Sequence, residues 1–382
     1  MPIETFTERS VICDKTAFKY YRTPPRYLGA CPKLPGCNPR LHYSDLRSAP
    51  LVTEVLGLPI HILTANPNAR SQGRTLRYHV ISRELPPGST RETPHGFSIA
   101  SPELTLFTLS RTLTFNQLVM AMYEMCGRFS IFAPSDSLAS ELHIRGCDHL
   151  ADGWSCVANE AGAQTSLWNR QPLTSVHSLQ AFGAALGDMR GAKLFLKAVS
   201  CVSGITASPF EAQAAMLLWM DPALGGWGYR NIESNVSVTY DRRSKVLADS
   251  HHAEVDIRVT SPEGQREWML ECQGKIVHDR IGAGTKDAQR VTALQAMGHQ
   301  VTMLTSDQIR DPQKFEVLLG MLSDNLGISW ADKTGREILA ENNLRADIFS
   351  DWLFLQNEPT ETELLRRKLL NKKRRAAGGF PN

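Results

Sequence analysis

Two short runs of sequence with a turn between them set acidic side chains against each other. Ala253 to Val259 reads Ala-Glu-Val-Asp-Ile-Arg-Val and alternates in period 2. Val255, Ile257 and Val259 fall on one side, and Glu254, Asp256 and Arg258 on the other. Arg266 to Gln273 follows after Ser-Pro-Glu-Gly, and Glu263-Gly264 suits a two-residue hairpin loop because glycine tolerates positive φ. That loop implies a register in which Val259 faces Trp268, Ile257 faces Leu270 and Val255 faces Cys272, leaving one side wholly apolar. On the other side Asp256 falls opposite Glu271, and Glu254 opposite Gln273. Opposed carboxylates repel, and a fold keeps them by protonating one or by placing a cation between them. Oxygen ligands at this spacing suit a hard ion, Mg²⁺ or Mn²⁺. Lys275 lies on the same face if the strand continues through Gly274. The same residues also fit the solvated face of an ordinary hairpin, and a one-residue slip would part the carboxylates.

The flanking sequence supplies elements to position this hairpin. Lys286 to Met297 carries a helical apolar stripe of Ala288, Val291, Leu294 and Met297, closed by Gly298 at a C′ position. His299 to Thr305 reads as a strand, so strand, helix and strand make a parallel pair by a right-handed crossover. Upstream, Ser208-Pro-Phe-Glu211 opens a helix through Trp219, with Pro at its first position and capping-box spacing. Asp311-Pro312 begins another helix, with Phe315, Leu318, Leu319, Leu322 and Leu326 turned to the sheet. The expected class is α/β of the α+β kind, a mixed sheet with helices packed on it.

Ser208-Pro-x-Glu211, Val255-Asp256-Ile257, Glu271-x-Gln273-Gly274, His278 and Asp287-x-x-Arg290-x-x-x-Leu294-x-x-x-Gly298 occur in that order. This order resembles the PD-(D/E)xK restriction-endonuclease-like superfamily, and within it the domain of unknown function related to the very-short-patch-repair endonuclease. The resemblance covers about residues 206 to 326. It implies a restriction-endonuclease-like fold and hydrolysis of DNA phosphodiester bonds with Mg²⁺ or Mn²⁺. Asp256 and Glu271 would hold the metal, and Glu211 would complete its shell unless it serves only as a helix cap. Where that family has Glu-x-Asp-Gly, this chain has Gln273 in place of the Asp. Gln273 would orient the attacking water. Lys275 would stabilise the transition state, and His278 would donate a proton or touch phosphate. Arg290 would reach phosphate or pair with Asp287. Arg242, Arg243 and Lys245 make a local basic patch suited to a phosphate backbone or to a solvated turn.

The front of the chain has a mixed α/β reading. Leu58 to Thr64, Leu76 to Ile81 and Phe97 to Ile99 read as strands. Ser101-Pro caps a helix, and Thr114 caps the next, through Cys126. Ile60-His-Ile-Leu, a loop with Arg74, Leu76-Arg-Tyr-His79, Leu85-Pro-Pro and Ser101-Pro-Glu-Leu resemble abortive-infection antitoxin or regulator proteins of bacteria. That resemblance implies a role in phage defence or a toxin–antitoxin pair, with a toxin protein as partner. An alternative function follows from it: a catalytically inactive nuclease-fold regulator that binds DNA or a toxin. His61 and His79 lie on strand patterns without a partner at ligand spacing, and read as sheet residues. Basic and aromatic side chains interleave in Lys19 to Lys33, which suits nucleic acid or inward-packed rings.

Composition sets outer bounds. The chain has 382 residues, enough for two domains, and its net charge of +3 gives no global basic signature. Eight scattered cysteines, with Cys31 and Cys37 the one close pair, argue against a structural zinc site and for a reducing, cytoplasmic setting. No signal peptide or 18-residue apolar run is present, so no membrane role is expected. The expected segments are 1–130 regulator-like, 131–205 a helical connector, 206–328 nuclease-like, and 329–382 a basic helical tail. Glu363 to Arg375 within that tail suits a basic helix on nucleic acid or a solvated tail. The oligomeric state is not legible.

Overall fold

The structure is a computed structural model that describes residues 10–34, 43–66, 68, 74–144, 152–159, 162–248, 250–273, 283–350 and 352–353. Among these residues twelve strands run in chain order. They are β1 (Val11–Ile12), β2 (Ile60–Thr64), β3 (Leu76–Val80), β4 (Thr90–Glu92), β5 (Ser98–Ala100) and β6 (Phe129–Ile131). Then come β7 (Ser155–Ala158), β8 (Gln164–Asn169), β9 (Ile232–Thr239), β10 (His252–Thr260), β11 (Glu267–Gln273) and β12 (Gln300–Thr305). They form three sheets, ordered β3-β2-β1-β5-β4, β6-β8-β7 and β12-β11-β10-β9. The first and last mix parallel and antiparallel pairs, so the α+β class expected from the sequence holds.

The last sheet carries the hairpin. Ile257 pairs with Leu270 and Val259 with Trp268, the register implied by the Glu263-Gly264 turn, where Gly264 has φ 73°. β11 and β12 are parallel, joined across the Ala283–Ala296 helix, and Gly298 closes the crossover at φ 90°. The Pro209–Trp219 helix starts at Ser208, whose hydroxyl accepts from the Glu211 amide. The Pro312–Leu326 helix buries the five apolar residues anticipated for it.

Two local readings need correction. Asp241 to Lys245 does not cross over as a turn: Arg242–Ala248 is a helix, begun by the Asp241 carboxylate on the Ser244 amide at 2.7 Å. The 131–205 segment carries β7 and β8 as well as helices. Those strands are short, and Gln164–Asn169 is too polar to show clear alternation. Beyond Gly327, within the segment expected to be helical, Gly335–Ile348 is a helix. A Thr334–Glu337 capping box and the Lys333–Glu341–Arg345 ion pairs hold it, so its signal is polar. The basic run 363–375 lies outside the described residues.

One core runs through front and back halves alike. It joins Cys13, Phe18 and Leu104 to Phe129, Met216, Leu270, Leu322 and Ile348. At its centre Arg22 and Glu124, both essentially inaccessible, form a bidentate pair at 2.8 and 2.5 Å. Glu124 also accepts from the Ser130 hydroxyl and the Ile131 amide, and Arg22 donates to the Trp352 carbonyl. A smaller cluster of Tyr240, Ala253, Val255, Met269, Ala293 and Leu294 packs the Ala283–Ala296 helix onto the last sheet. No helix among the described residues is long and apolar enough to cross a membrane.

Removing one member of a buried pair strands the other charge and costs roughly 3–5 kcal/mol. Glu124→Leu is therefore expected to lower unfolding free energy by about that much in urea titration. The double variant Arg22→Met/Glu124→Leu should recover a large part of it. A double variant as unstable as the single one would contradict this account.

Candidate functional site

The regular ladder of β10 breaks on both sides at Asp256. Toward β11 the paired backbone ends at Ile257–Leu270. Beyond it the Asp256 carboxylate accepts the Cys272 amide at 2.6 Å, a side chain taking the place of a ladder bond. Toward β9, pairing runs from His252 to Val255 and resumes at Ile257, omitting Asp256 and Asn235. Asn235 has φ 53°, a left-handed conformation that Asn tolerates better than most residues. The expected single apolar face is split here. Ile257, Val259, Trp268 and Leu270 join the large core, whereas Val255 packs in the smaller cluster with Ala253 and Met269.

This break gathers three carboxylates. Asp256 comes from β10, Glu271 from β11 and Glu211 from the first turn of the Pro209–Trp219 helix. Glu211 is 5% exposed and Glu271 1%. Glu211 takes the Ala207 amide at 2.7 Å, the Ser208 hydroxyl at 2.8 Å and the Asn235 side-chain amide at 3.1 Å. It thus caps its helix and also reaches Asn235 on the last sheet. Glu271 pairs with Arg290 at 2.8 Å, and Arg290 also reaches Asp287 at 3.3 Å. Glu271 Oε1 and Arg290 Nε remain buried without hydrogen-bond partners.

Burial dominates the electrostatics. It raises the Asp256 carboxyl well above its ordinary range, and the Glu211 and Glu271 charges push the same way. Burial also raises Glu211, against the hydrogen bonds from Ala207, Ser208 and Asn235. Glu271 is lifted to about 7 by burial, opposed by Arg290. Three acids and one guanidinium share a space too dry for all three to ionise freely. Such a group can bind a cation, hold a proton or pass one.

Other expected residues lie apart. The Gln273 amide contacts Met303 Sδ at 3.6 Å instead of the carboxylates. Lys275 and His278 fall outside the described residues. Arg242 and Arg243 are exposed and Lys245 half-buried, on a helix fastened to the Ala283–Ala296 helix by the Ser244 hydroxyl on the Ala293 carbonyl.

Among the described residues, a different group brings its ligand atoms within 4.8 Å of one another: Asp14, His61 and His79. All three are buried, and the group can hold a metal ion. The sheet carboxylates do not meet that spacing. The expectation that His61 and His79 lack a ligand-spaced partner is corrected. Their partner comes from the end of β1, far away in sequence. The parallel pairing of β2 with β3 sets His61 beside Arg77 and His79 beside Leu63, which no local spacing announces. The sequence signal available was two strand histidines in neighbouring runs, and it lacked the third residue.

No family model, curated protein or solved structure matches the chain.

The acids carry a pH signature of definite sign. A carboxyl whose native pKa is raised keeps a proton that the unfolded chain has released, so its stabilisation is present at low pH and lost as pH rises. For Glu271 the window runs from about its ordinary 4.5 to about 7. Glu271→Gln should therefore gain stability relative to the parent as pH rises through that window, read as the difference between their thermal midpoints. A difference that stays flat or runs the other way would show that Glu271 is not held protonated.

Proposed function

We propose that the carboxylate cluster is the centre of a metal-dependent nuclease acting on DNA. The observation that carries this reading is the gathering of buried Glu271 and Glu211 and half-buried Asp256, from three separate elements, beside the guanidinium of Arg290. Glu271 Oε1 is buried without a hydrogen-bond partner, and an all-oxygen donor set of this kind fits Mg²⁺ or Mn²⁺. Asp256 and Glu271 would hold the ion, with Glu211 beside them. When bound, the ion supplies a water of lowered pKa and charge to neutralise the phosphate.

The chain's own residues then have distinct tasks. Glu211, anchored by Ala207, Ser208 and Asn235, keeps its carboxylate in place whether or not the site is loaded. Arg290 balances Glu271 and Asp287 and would turn to a phosphate oxygen of bound DNA. Gln273, half-buried with its amide on Met303, would have to turn toward the carboxylates to orient the water. Lys275 and His278 follow on the same stretch of chain and retain the roles implied by the resemblance. Arg242, Arg243 and Lys245 would touch the DNA backbone without reading bases. In this reading the protein works in the bacterial cytoplasm, in phage defence or DNA repair.

A second reading is favoured by the Glu271–Arg290 pair and by the Gln273 amide resting on Met303. A site closed by its own arginine suits a regulator that binds DNA or a toxin protein and does not cut.

Plasmid and short single- and double-stranded DNA incubated with Mg²⁺ or Mn²⁺ distinguish the two. Cutting that requires metal is expected, with Asp256→Ala and Glu271→Gln each reducing it by at least ~100-fold, the scale of a lost charge-stabilising group. An intact substrate with the parent protein under both ions, despite a folded circular-dichroism spectrum, would remove the nuclease and leave the regulator.

A further inference from the structure

The Asp14, His61 and His79 group stands apart from the carboxylates and rests on different elements. Asp14 opens the Asp14–Arg22 helix directly after β1, and it does so at φ 52°. A left-handed conformation is costly for a residue with a side chain, and it persists only where surrounding contacts hold it. Those contacts are present. The Asp14 amide donates to Thr108 Oγ1 at 3.0 Å. Its carboxylate accepts the Lys15 amide at 2.7 Å and the Thr112 hydroxyl at 3.1 Å to each oxygen. Thr108 and Thr112 belong to the helix Pro102–Leu109 and the turn after it, so a second element fixes the carboxylate from behind.

In front of Asp14 lie the two imidazoles. His61 Nδ1 is 3.2 Å from Asp14 Oδ1, and His79 Nδ1 is 3.8 Å from Asp14 Oδ2. His61 Nδ1 and His79 Nε2 are 2.8 Å apart, with the rings stacked at 5.0 Å between centroids. His61 Nδ1 thus faces a carboxylate oxygen and another ring nitrogen at once. A single proton on that nitrogen serves only one of them well, whereas a cation serves all three atoms. Two imidazoles and one carboxylate are a borderline donor set, suited to zinc and its first-row neighbours above magnesium. Thr112, donating to the Asp14 carboxylate, is the outer partner that such a ligand keeps.

We propose that Asp14, His61 and His79 bind one zinc-class transition-metal ion, which clips the start of the Asp14–Arg22 helix to the β2–β3 edge of the first sheet. Three protein ligands leave a fourth position for water or a small anion. The site is independent of the carboxylate cluster and of the function proposed for it.

The test uses the full chain, stripped with a chelator and titrated with Zn²⁺ alone against a chromophoric competitor. One tight equivalent is expected in the parent and in Asp256→Asn/Glu271→Gln, which disables the other cluster. Asp14→Asn and His79→Gln should each weaken binding by at least the ~10–100-fold that loss of even an outer partner costs. Absence of a tight equivalent in the parent, or undiminished binding in both Asp14→Asn and His79→Gln, would overturn the proposal. Tight binding lost in Asp256→Asn/Glu271→Gln would overturn it too, by moving the ion to the carboxylates. Should Asp14→Asn and His79→Gln fail to fold, Co²⁺ in the parent and in Asp256→Asn/Glu271→Gln decides. Intense visible bands of a four- or five-coordinate ion in both support the site, and the pale spectrum of the hydrated ion overturns it.

Discussion

Arg22 and Glu124 meet where water does not reach, and much of the chain is arranged around making that tolerable. A buried charge needs its counter-charge and hydrogen bonds for its remaining donors and acceptors. The bidentate contact supplies the first. Ser130, Ile131 and the Trp352 carbonyl supply the second. These groups come from the first helix, a central helix, β6 and the far end of the described chain. Satisfying one ion pair therefore fixes front to back, and explains why one apolar core passes through both halves without a seam. The Gly335–Ile348 helix serves the same end: Gln213 donates to its Ile348 carbonyl, and Asn116 to its Asp347 carboxylate.

The same rule is left incomplete at the last sheet. Asp256, Glu211, Glu271 and Asp287 surround Arg290, and a carboxylate oxygen of Glu271 has no hydrogen-bond partner. The cost is visible as carboxyls raised by burial and as a strand whose ladder is interrupted. Asn235 in its left-handed conformation and Asp256 on the Cys272 amide are two halves of one break. A regular β10 would pair there through backbone alone and leave the acids to repel across the ladder. A clustered set of acids with raised carboxyls and a broken ladder is where chemistry is expected, because strain and perturbed acidity gather at functional sites.

The front half solves a similar problem with different donors. Asp14 is held by two threonines and faces two imidazoles in neighbouring parallel strands. The two clusters differ in hardness, oxygen-rich in the last sheet and nitrogen-rich in the first, and so they suit different ions.

Local physics was legible in the sequence. The Gly264 turn implied the Ile257–Leu270 register, Thr114 and Ser208 marked helix starts, and the 3.6-residue stripe of Phe315 to Leu326 named the buried face. Each depends on residues within a turn or two of one another. Asp256, Glu271, Glu211 and Arg290 were also named from their order along the chain. Their placement was not: the ladder break at Asn235, the Arg290–Glu271 pair and the Gln273 contact with Met303 arise where distant segments meet. Asp14 is 47 residues from His61 and 65 from His79, and no spacing along the chain links them. Short buried strands such as Phe129–Ile131 are likewise too brief to show a period. Sequence decides what neighbours along the chain can satisfy between themselves. Which buried charges and ligands come to share a space is decided only when the core closes, because only then does water leave and each polar group must find a partner from elsewhere.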